Sequence, residues 1–528
     1  MTPSLVTAAS CAFLALCLCL DASYALRILG LFPLHGKSHF LMCEGLMRNL
    51  AKRGHQVDVY SHFPLREPVA NYTDYDLGGR IGILSNNVSY GSFDSRTNFA
   101  FMPLLMRLYG MPICELMDLP VFQKLMRDPP NDPAYDIVVI ELFVAHCYLA
   151  WGHRLQVPVV TIITSTMYDW MNYPIGNPSN AAIEPSAFSS FNSPMTFPER
   201  LQNVLIKMYI VWTFDNYMSK QDKKVKELFG PDYPDIRDMQ QDISLVLLNY
   251  HHSITGVRTF ATSVQPVAGL HIEDTKDKLP KEVQKFLDQS SHGFIYFSFG
   301  SMMRIETFPK HVLEMFYTTF EKIAPVRVLI KVAKPEELPP GLPSNVLTQP
   351  WLSQIKVLQH KNIKAFITHG GLLGTQESIY YGVPMIGIPL FADQYFNIQS
   401  YAIKNIAVKI DIESITEECL TKAVMEVLHN PIYKQTVDKI GRIFKDDLVK
   451  PVDKASFLIE YVVRHGKDTL KSPILALSWW QRILLDVYGF IALIILITLY
   501  VIWLGLKMLS KAVWKIITAH SFSKLKEN

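Results

Sequence analysis

The strongest constraint on the fold is the stretch 351–394, WLSQIKVLQHKNIKAFITHGGLLGTQESIYYGVPMIGIPLFADQ. Within it the short apolar run 365–368 reads as a strand buried on both faces, as in a parallel sheet. The run ends in His369-Gly370-Gly371, and residues 372–381 carry apolar and small side chains that continue as a helix. Strand, glycine turn and helix form an anion-binding unit. The first amides of the helix lack internal partners, and its dipole places partial positive charge there. The glycines let an anion approach the backbone, and His369 can donate from the strand's end. Alone, His-Gly-Gly would be weak evidence.

Other residues accompany it at fixed offsets. Trp351 offers a ring for a base to stack on, and Gln354, one turn later, can read the base edge. Glu377, on the first turns of the helix, can accept from the hydroxyls of a ribose. After a second apolar strand at 384–390 come Asp393 and Gln394, suited to sugar hydroxyls. Each residue taken singly reads as packing or a solvated loop. Together, in this order, they spell a nucleotide-sugar site.

The stretch resembles the signature of the UDP-glycosyltransferases, in particular the membrane-bound animal enzymes. Its HGGLLGTQE wording is similar to the invertebrate branch, and the resemblance covers nearly the whole chain. It implies an α/β fold of two doubly wound Rossmann-like lobes (the GT-B type glycosyltransferase fold) plus one C-terminal transmembrane helix. The acceptor would bind in the first lobe and the donor in the second. By resemblance, Ser301 and His369 hold the UDP phosphates, with Gly371 at the turn and the backbone amides of Leu373, Gly374 and Thr375 completing the cradle. Relatives often carry asparagine at the position of Leu373, and plant members serine at that of Gly374, so amides must do more here. Trp351 stacks on uracil, Gln354 reads it, Glu377 binds ribose, and Asp393 and Gln394 hold the sugar. UDP-sugar is then a co-substrate, and no further cofactor is expected. No carboxylate cluster suited to a metal is visible, and the cradle can replace one.

Transfer to a hydroxyl needs a base, because a hydroxyl is a poor nucleophile at neutral pH. His35 and His39 share the first loop. A loop histidine is usually only solvated, but His39 follows Ser38 and opens a helix as the family's catalytic histidine does. A carboxylate behind the histidine would fix its tautomer and stabilise the imidazolium. The family supplies an aspartate near the end of the strand at 136–142; here the nearest acid is Glu141. Invertebrate members often have an acid five residues further on, where this chain has His146. His39 and Glu141 are thus the expected catalytic pair, for a single displacement with inversion. The competing role for Glu141 is to orient the loop through backbone hydrogen bonds.

Strands at 27–33 and 56–61 flank a helix from 39 to 53 that Gly54 stops, giving a β-α-β opening. Further strands at 136–142 and 158–164 complete the expected first lobe, 26–265. A polar, proline-bounded linker spans 265–280. Strands at 294–299, 326–332 and 407–411 join the signature in the second lobe, 281–455, and connecting helices fill 456–486. Segments 98–119 and 167–191, rich in methionine and aromatic residues, can line an apolar acceptor pocket or pack as core. The 528 residues allow two domains, and a net charge of +3 argues against nucleic acid as a partner. Cys11, Cys17 and Cys19 fall in the leader; Cys43, Cys114, Cys147 and Cys419 show neither metal spacing nor a dense disulfide framework.

Residues 1–25 read as a signal peptide with a small-residue cleavage site at Ser23-Tyr24-Ala25, although its start lacks lysine or arginine. Asn71 and Asn87 head glycosylation sequons. Residues 487–506 carry no charge and span a bilayer core, flanked by Trp479, Trp480, Tyr488 and Trp503. Lys507, Lys511 and Lys515 then make residues 507–528 a basic cytoplasmic tail, and Lys524 and Lys526 match a dilysine retrieval signal. The expectation is a single-pass type I protein of the endoplasmic reticulum membrane with lumenal lobes. Its partners would be a UDP-sugar, a small lipophilic acceptor and membrane lipid, with homo-oligomerisation left open. Glucose is the preferred sugar by resemblance. Glucuronic acid is the second choice, because its carboxylate would want a cation that the signature lacks. A non-catalytic membrane-anchored binding protein of the same fold is the alternative of another class.

Overall fold

The computed structural model describes residues 25–92, 98–273 and 277–526. Residues 1–24 of the expected signal peptide 1–25 and the last two residues lie outside these. The chain forms two compact units, the first ending at Lys471 and the second beginning at Ser472.

The first unit holds two parallel sheets. One contains β1 (Arg27–Phe32), β2 (Gln56–Ser61), β3 (Tyr72–Asp76), β4 (Ile137–Glu141), β5 (Val159–Ile163), β6 (Ile243–Leu248) and β7 (Val264–Pro266), in the order β3-β2-β1-β4-β5-β6-β7. The other contains β8 (Phe294–Ser298), β9 (Arg327–Lys331), β10 (Val346–Gln349), β11 (Ile363–Thr368), β12 (Met385–Gly387) and β13 (Ala407–Lys409), in the order β10-β9-β8-β11-β12-β13. Every pairing within both sheets is parallel. The inner strands are mainly apolar, and β4 and β5 are buried at every residue, as in a parallel sheet covered on both faces. Strand order reverses between β1 and β4, and again between β8 and β11. Such switch points open a crevice at the strands' carboxyl ends, where ligands bind.

Several elements differ from the sequence expectation. The helix α1 (Lys37–Lys52) starts two residues before His39. The linker is not a loose polar tether: Val267 and Leu270 are buried in the first lobe's core and Ala268 in the second's. The first-lobe segment 86–88 runs along the second lobe. Asn86 N–H donates to the Ser301 carbonyl at 2.8 Å, and Arg304 N–H to the Val88 carbonyl at 2.9 Å. The 455 boundary falls inside helix α2 (Pro451–His465), which packs back on the first lobe. Its Val452, Ala455, Ile459 and Val462 are buried with Leu46, Met47 and Leu50 of α1, and Glu460 accepts from Arg53 and His55. That apolar stripe has to be covered, and α1 covers it. A disulfide joins Cys114 to Cys147, a pairing that their separation of 33 residues did not suggest; Cys43 is buried and free.

The second unit is dominated by helix α3 (Leu485–Lys526). Its stretch Leu485–Ala519 contains an 18-residue window of mean hydropathy 2.6 and is long and apolar enough to cross a membrane. The expected span 487–506 lies within it, and the helix continues unbroken through the basic residues beyond.

Candidate active site

In the first lobe the switch point brings three residues together. His39 sits in the first turn of α1, Glu141 ends β4, and Thr164 directly follows β5. His39 Nδ1 lies 2.8 Å from Glu141 Oε1 and 2.7 Å from Thr164 Oγ1, and the Thr164 hydroxyl donates to Glu141 Oε1 at 2.7 Å. With the Thr164 hydroxyl donating to Glu141, Nδ1 carries the imidazole proton and donates, which leaves the Nε2 lone pair free. The His39 side chain is 24% exposed and that of Glu141 only 2%. The carboxylate is therefore the buried backstop, and the imidazole is the face presented to solvent. Phe143 meets the His39 ring edge-on at 5.1 Å, and Tyr109 and Tyr168 stand 5.7 and 5.8 Å from Phe143. An aromatic wall thus adjoins His39, built from Phe143 just after β4 with Tyr109 of segment 98–119 and Tyr168 of segment 167–191; most of those segments' other large side chains are core.

His35, the other candidate base, is buried against Tyr109 with Nδ1 unpartnered and has no carboxylate behind it. Burial lowers its pKa to about 4, with His62 and His39 adding to the effect. His146 does not replace the invertebrate acid. It is wholly buried, accepting from Gln240 at Nδ1 and donating from Nε2 to the Phe143 carbonyl, and burial lowers its pKa to about 3.

In the second lobe the switch point carries Gly300-Ser301 after β8 and His369-Gly370-Gly371 after β11. The His369 ring is wedged between two glycines. A Cβ on Gly300 would lie 2.7 Å from its Cε1, and one on Gly371 2.8 Å from its Nε2. Gly300 also has φ of +76°, which a larger residue resists. Burial holds His369 neutral, with its pKa lowered to about 3, and its Nδ1 has no protein partner. The helix α4 (Leu372–Tyr380) follows, with Gly371 at its N-cap position. Thr375 does not offer its amide as expected: that N–H already donates to the Gly371 carbonyl at 3.1 Å, closing the first helical turn. The unpaired amides of this turn belong to Leu372, Leu373 and Gly374, so the cradle begins one residue earlier. The Thr375 hydroxyl is likewise engaged, by Leu372 and Tyr401.

Trp351 is 47% exposed, its ring available for stacking. Gln354 Nε2 donates to Glu377 Oε2 at 2.7 Å, so the residues expected to read the base and bind the ribose form one unit. A Cβ on Gly374 would lie 2.9 Å from Gln354 Nε2, so a larger residue there would displace that amide. His271, a linker residue that the sequence did not single out, brings Nε2 to 3.4 Å from Glu377 Oε1. Gln394 is buried, and its Oε1 accepts from the amides of Leu390 and Phe391. It shapes the loop that presents Asp393 rather than turning that oxygen outward. Asp393 accepts from Asn397 at 3.0 Å. Burial raises the Asp393 carboxyl pKa, and a protonated His39, within electrostatic reach of it, opposes the shift. Phe391 and Ala392 pack on the first lobe's core beside them.

Comparison with known proteins agrees with this geometry. The family model described as "UDP-glucoronosyl and UDP-glucosyl transferase" matches residues 112–521. UDP-glucosyltransferase 2 of Dactylopius coccus is 34% identical, over 96% of this chain and 97% of that protein. UDP-glucuronosyltransferase 2A3 of Mus musculus is 33% identical, over 72% of this chain and 70% of that one. The crystal structure of the glycotransferase of kitacinnamycin superposes with a TM-score of 0.56 at 18% identity, covering 83% of this chain and 99% of that one, and shares the fold. With two facing parallel-sheet lobes, a histidine-carboxylate pair opposite a nucleotide-sugar cassette, and this breadth of similarity, the chain belongs to the UDP-glycosyltransferase family of animal type and is a glycosyltransferase.

Proposed function

We propose that the enzyme transfers glucose from UDP-glucose, with inversion and without a metal or further cofactor, to a hydroxyl of a small lipophilic acceptor. The observation that carries this reading is the His39–Glu141–Thr164 cluster, set beside the aromatic wall of Phe143, Tyr109 and Tyr168 and within electrostatic reach of Asp393. An acceptor hydroxyl docked on that wall donates to His39 Nε2. Its oxygen attacks the anomeric carbon as the bond from that carbon to the β-phosphate oxygen breaks, and the electron pair leaves with UDP. The proton ends on Nε2, and Glu141 stabilises the imidazolium. Ser301, neutral His369 and the amides of Leu372, Leu373 and Gly374 receive the charge growing on the diphosphate. Trp351 and the Gln354–Glu377 pair hold the nucleoside. Glucose is favoured over glucuronic acid because Asp393 offers an acceptor for hydroxyls where a glucuronate carboxylate would need a cation. The glucosyltransferase name borne by the Dactylopius relative points the same way.

The same reading anchors the enzyme by Leu485–Ala519 in the endoplasmic reticulum membrane with the lobes in the lumen. Asn71 and Asn87 are exposed on the first lobe and open to glycosylation. The test is a donor-by-acceptor screen with the full chain in membranes, products identified by mass spectrometry, for wild type and His39→Ala. A glucoside of a phenol or flavonoid made by wild type alone is the expected result. Equal turnover by both proteins would sink the mechanism, and product only with UDP-glucuronic acid would replace the sugar.

A further inference from the structure

Both lobes contribute to one buried cation that the reaction scheme above leaves without a role. Lys331 closes β9 and is 7% exposed. Its Nζ donates to the Gly300 carbonyl at 2.7 Å and to Asn86 Oδ1, from the first-lobe segment, at 2.5 Å. The ammonium also stands 5.3 Å from the centre of the Trp351 ring. It is close enough to His369 to help keep that imidazole neutral. Lys331 therefore touches the loop of Ser301, the partner of the His369 ring and the base-stacking indole. Among the described residues no other lysine or arginine is in ion-pair, hydrogen-bond or ring contact with Gly300, Ser301, Trp351 or His369. Arg304 nearby is paired with Glu306 and Glu337.

A buried ammonium is costly unless an anion compensates it. Lys331 has two neutral oxygens and no carboxylate within salt-bridge distance. Glu306 acts on it only at longer range, and burial prevails, lowering its pKa to about 8. Among the described residues the third N–H has no acceptor. The rest of the cradle is neutral, so the element it lacks is positive charge.

We infer that Lys331 is the counter-charge for the diphosphate of the nucleotide sugar, its third N–H completing the cradle formed by Ser301, His369 and the α4 amides. Because the same ammonium holds Asn86, a bound diphosphate is also linked to the segment that ties the first lobe to the second. The inference rests on the donor-site reading above and adds to it a residue outside the signature stretch.

The test compares UDP with uridine, which shares the base and ribose but has no phosphate. Binding of each to full-length wild type, Lys331→Met and Lys331→Arg is measured calorimetrically in detergent. Lys331→Met should weaken UDP about 10- to 100-fold, as expected for loss of a charged hydrogen bond, and leave uridine within about threefold. Lys331→Arg should restore most of the UDP affinity. Parallel loss of UDP and uridine would overturn the inference, since that is the signature of a residue that only supports Gly300, Asn86 or Trp351. Unchanged UDP binding in Lys331→Met would overturn it as well. A wild type that binds UDP yet transfers no sugar would sink the transferase reading while leaving this comparison interpretable.

Discussion

Replacing Glu141 by glutamine isolates the charge behind the catalytic histidine. The Glu141 carboxylate lies 2.8 Å from His39 Nδ1 and has a side-chain exposure of 2%, so its interaction with an imidazolium is weakly screened. For unit charges centred about 4 Å apart at an effective dielectric constant of about 20, the attraction is about 4 kcal/mol. The charge on His39 exists only once the acceptor proton has moved, so this energy is lost from the transition state and not from bound substrate. At about 1.4 kcal/mol per decade, kcat should fall by about 100- to 1000-fold, while KM for the UDP-sugar changes less than about threefold. The amide can also turn its NH₂ towards Nδ1 and so favour the wrong tautomer, which adds to the loss. Thr164→Val, which removes only the hydroxyl bridging the pair, should cost about tenfold. The assay is steady-state UDP release from full-length protein in membranes with a saturating phenolic acceptor. In a cycle with His39→Ala, the double variant should be no slower than His39→Ala alone, because the carboxylate acts through the imidazole. Full kcat in Glu141→Gln, or a loss additive with His39→Ala, would refute the reasoning and leave Glu141 as a loop-orienting residue.

Gly371→Ala drives a methyl to 2.8 Å from His369 Nε2, an overpacking worth about 1–3 kcal/mol, and should raise KM for the UDP-sugar about tenfold or more with acceptor KM unchanged. UDP affinity should fall as pH rises through about 8, where free Lys331 loses its proton, with Glu306 the one facing acid and His369 neutral throughout; calorimetry on Lys331→Arg should show a flat profile over the same range. His146 is lowered from 6.5 to about 3, so the unfolded chain binds its proton first on acidification. The stability it contributes is complete above 6.5 and is lost as pH falls towards 3, by about 2 kcal/mol at pH 5, and thermal melts of His146→Gln should lose correspondingly less than wild type. Asn249→Leu strands the buried Gln376 amide and should lower stability by about 1–3 kcal/mol in chemical denaturation, with a drop in kcat exceeding any change in donor binding.

Most inner strands were legible from their short, mainly apolar runs; β2 was read at its observed limits, and β1, β4 and β5 within one residue at either end. The strands missed are β3, β6, β7 and β10; β3, β7 and β10 are sheet edges, whereas β6 is an inner, fully buried strand whose apolar run went unread. Tyr72–Asp76 is polar at alternate positions and Val264–Pro266 has three residues, so neither yields an apolar run. The donor cassette was legible because its residues are consecutive around one strand-turn-helix unit. Choosing His39 over His35 required the family resemblance, since both lie in one loop. Thr164, His271, Asn86 and Lys331 were not legible at all. Each enters the site from a different element, and only the folded sheets bring them to it. The return of α2 onto α1 is invisible for the same reason, because an amphipathic helix does not say which surface covers it.

The two halves of the site are joined by hydrogen bonds as well as by proximity. Thr164, which braces Glu141 through its hydroxyl, accepts through its carbonyl from Asn249 Nδ2 at 2.7 Å. Asn249 Oδ1 in turn accepts from Gln376 Nε2 at 2.8 Å, and Gln376 adjoins Glu377 in the donor-binding helix. Asn249 and Gln376 are both buried, where an unmatched amide is expensive, so the two lobes must keep this register to stay paired. On the opposite side of the crevice the segment 86–88 holds the loop of Ser301. The base and the phosphate cradle are thus each fixed to the other lobe by a separate set of hydrogen bonds. A displacement of one lobe that opened the crevice would have to break both, which makes their alignment a property of the folded first unit and not of substrate binding alone.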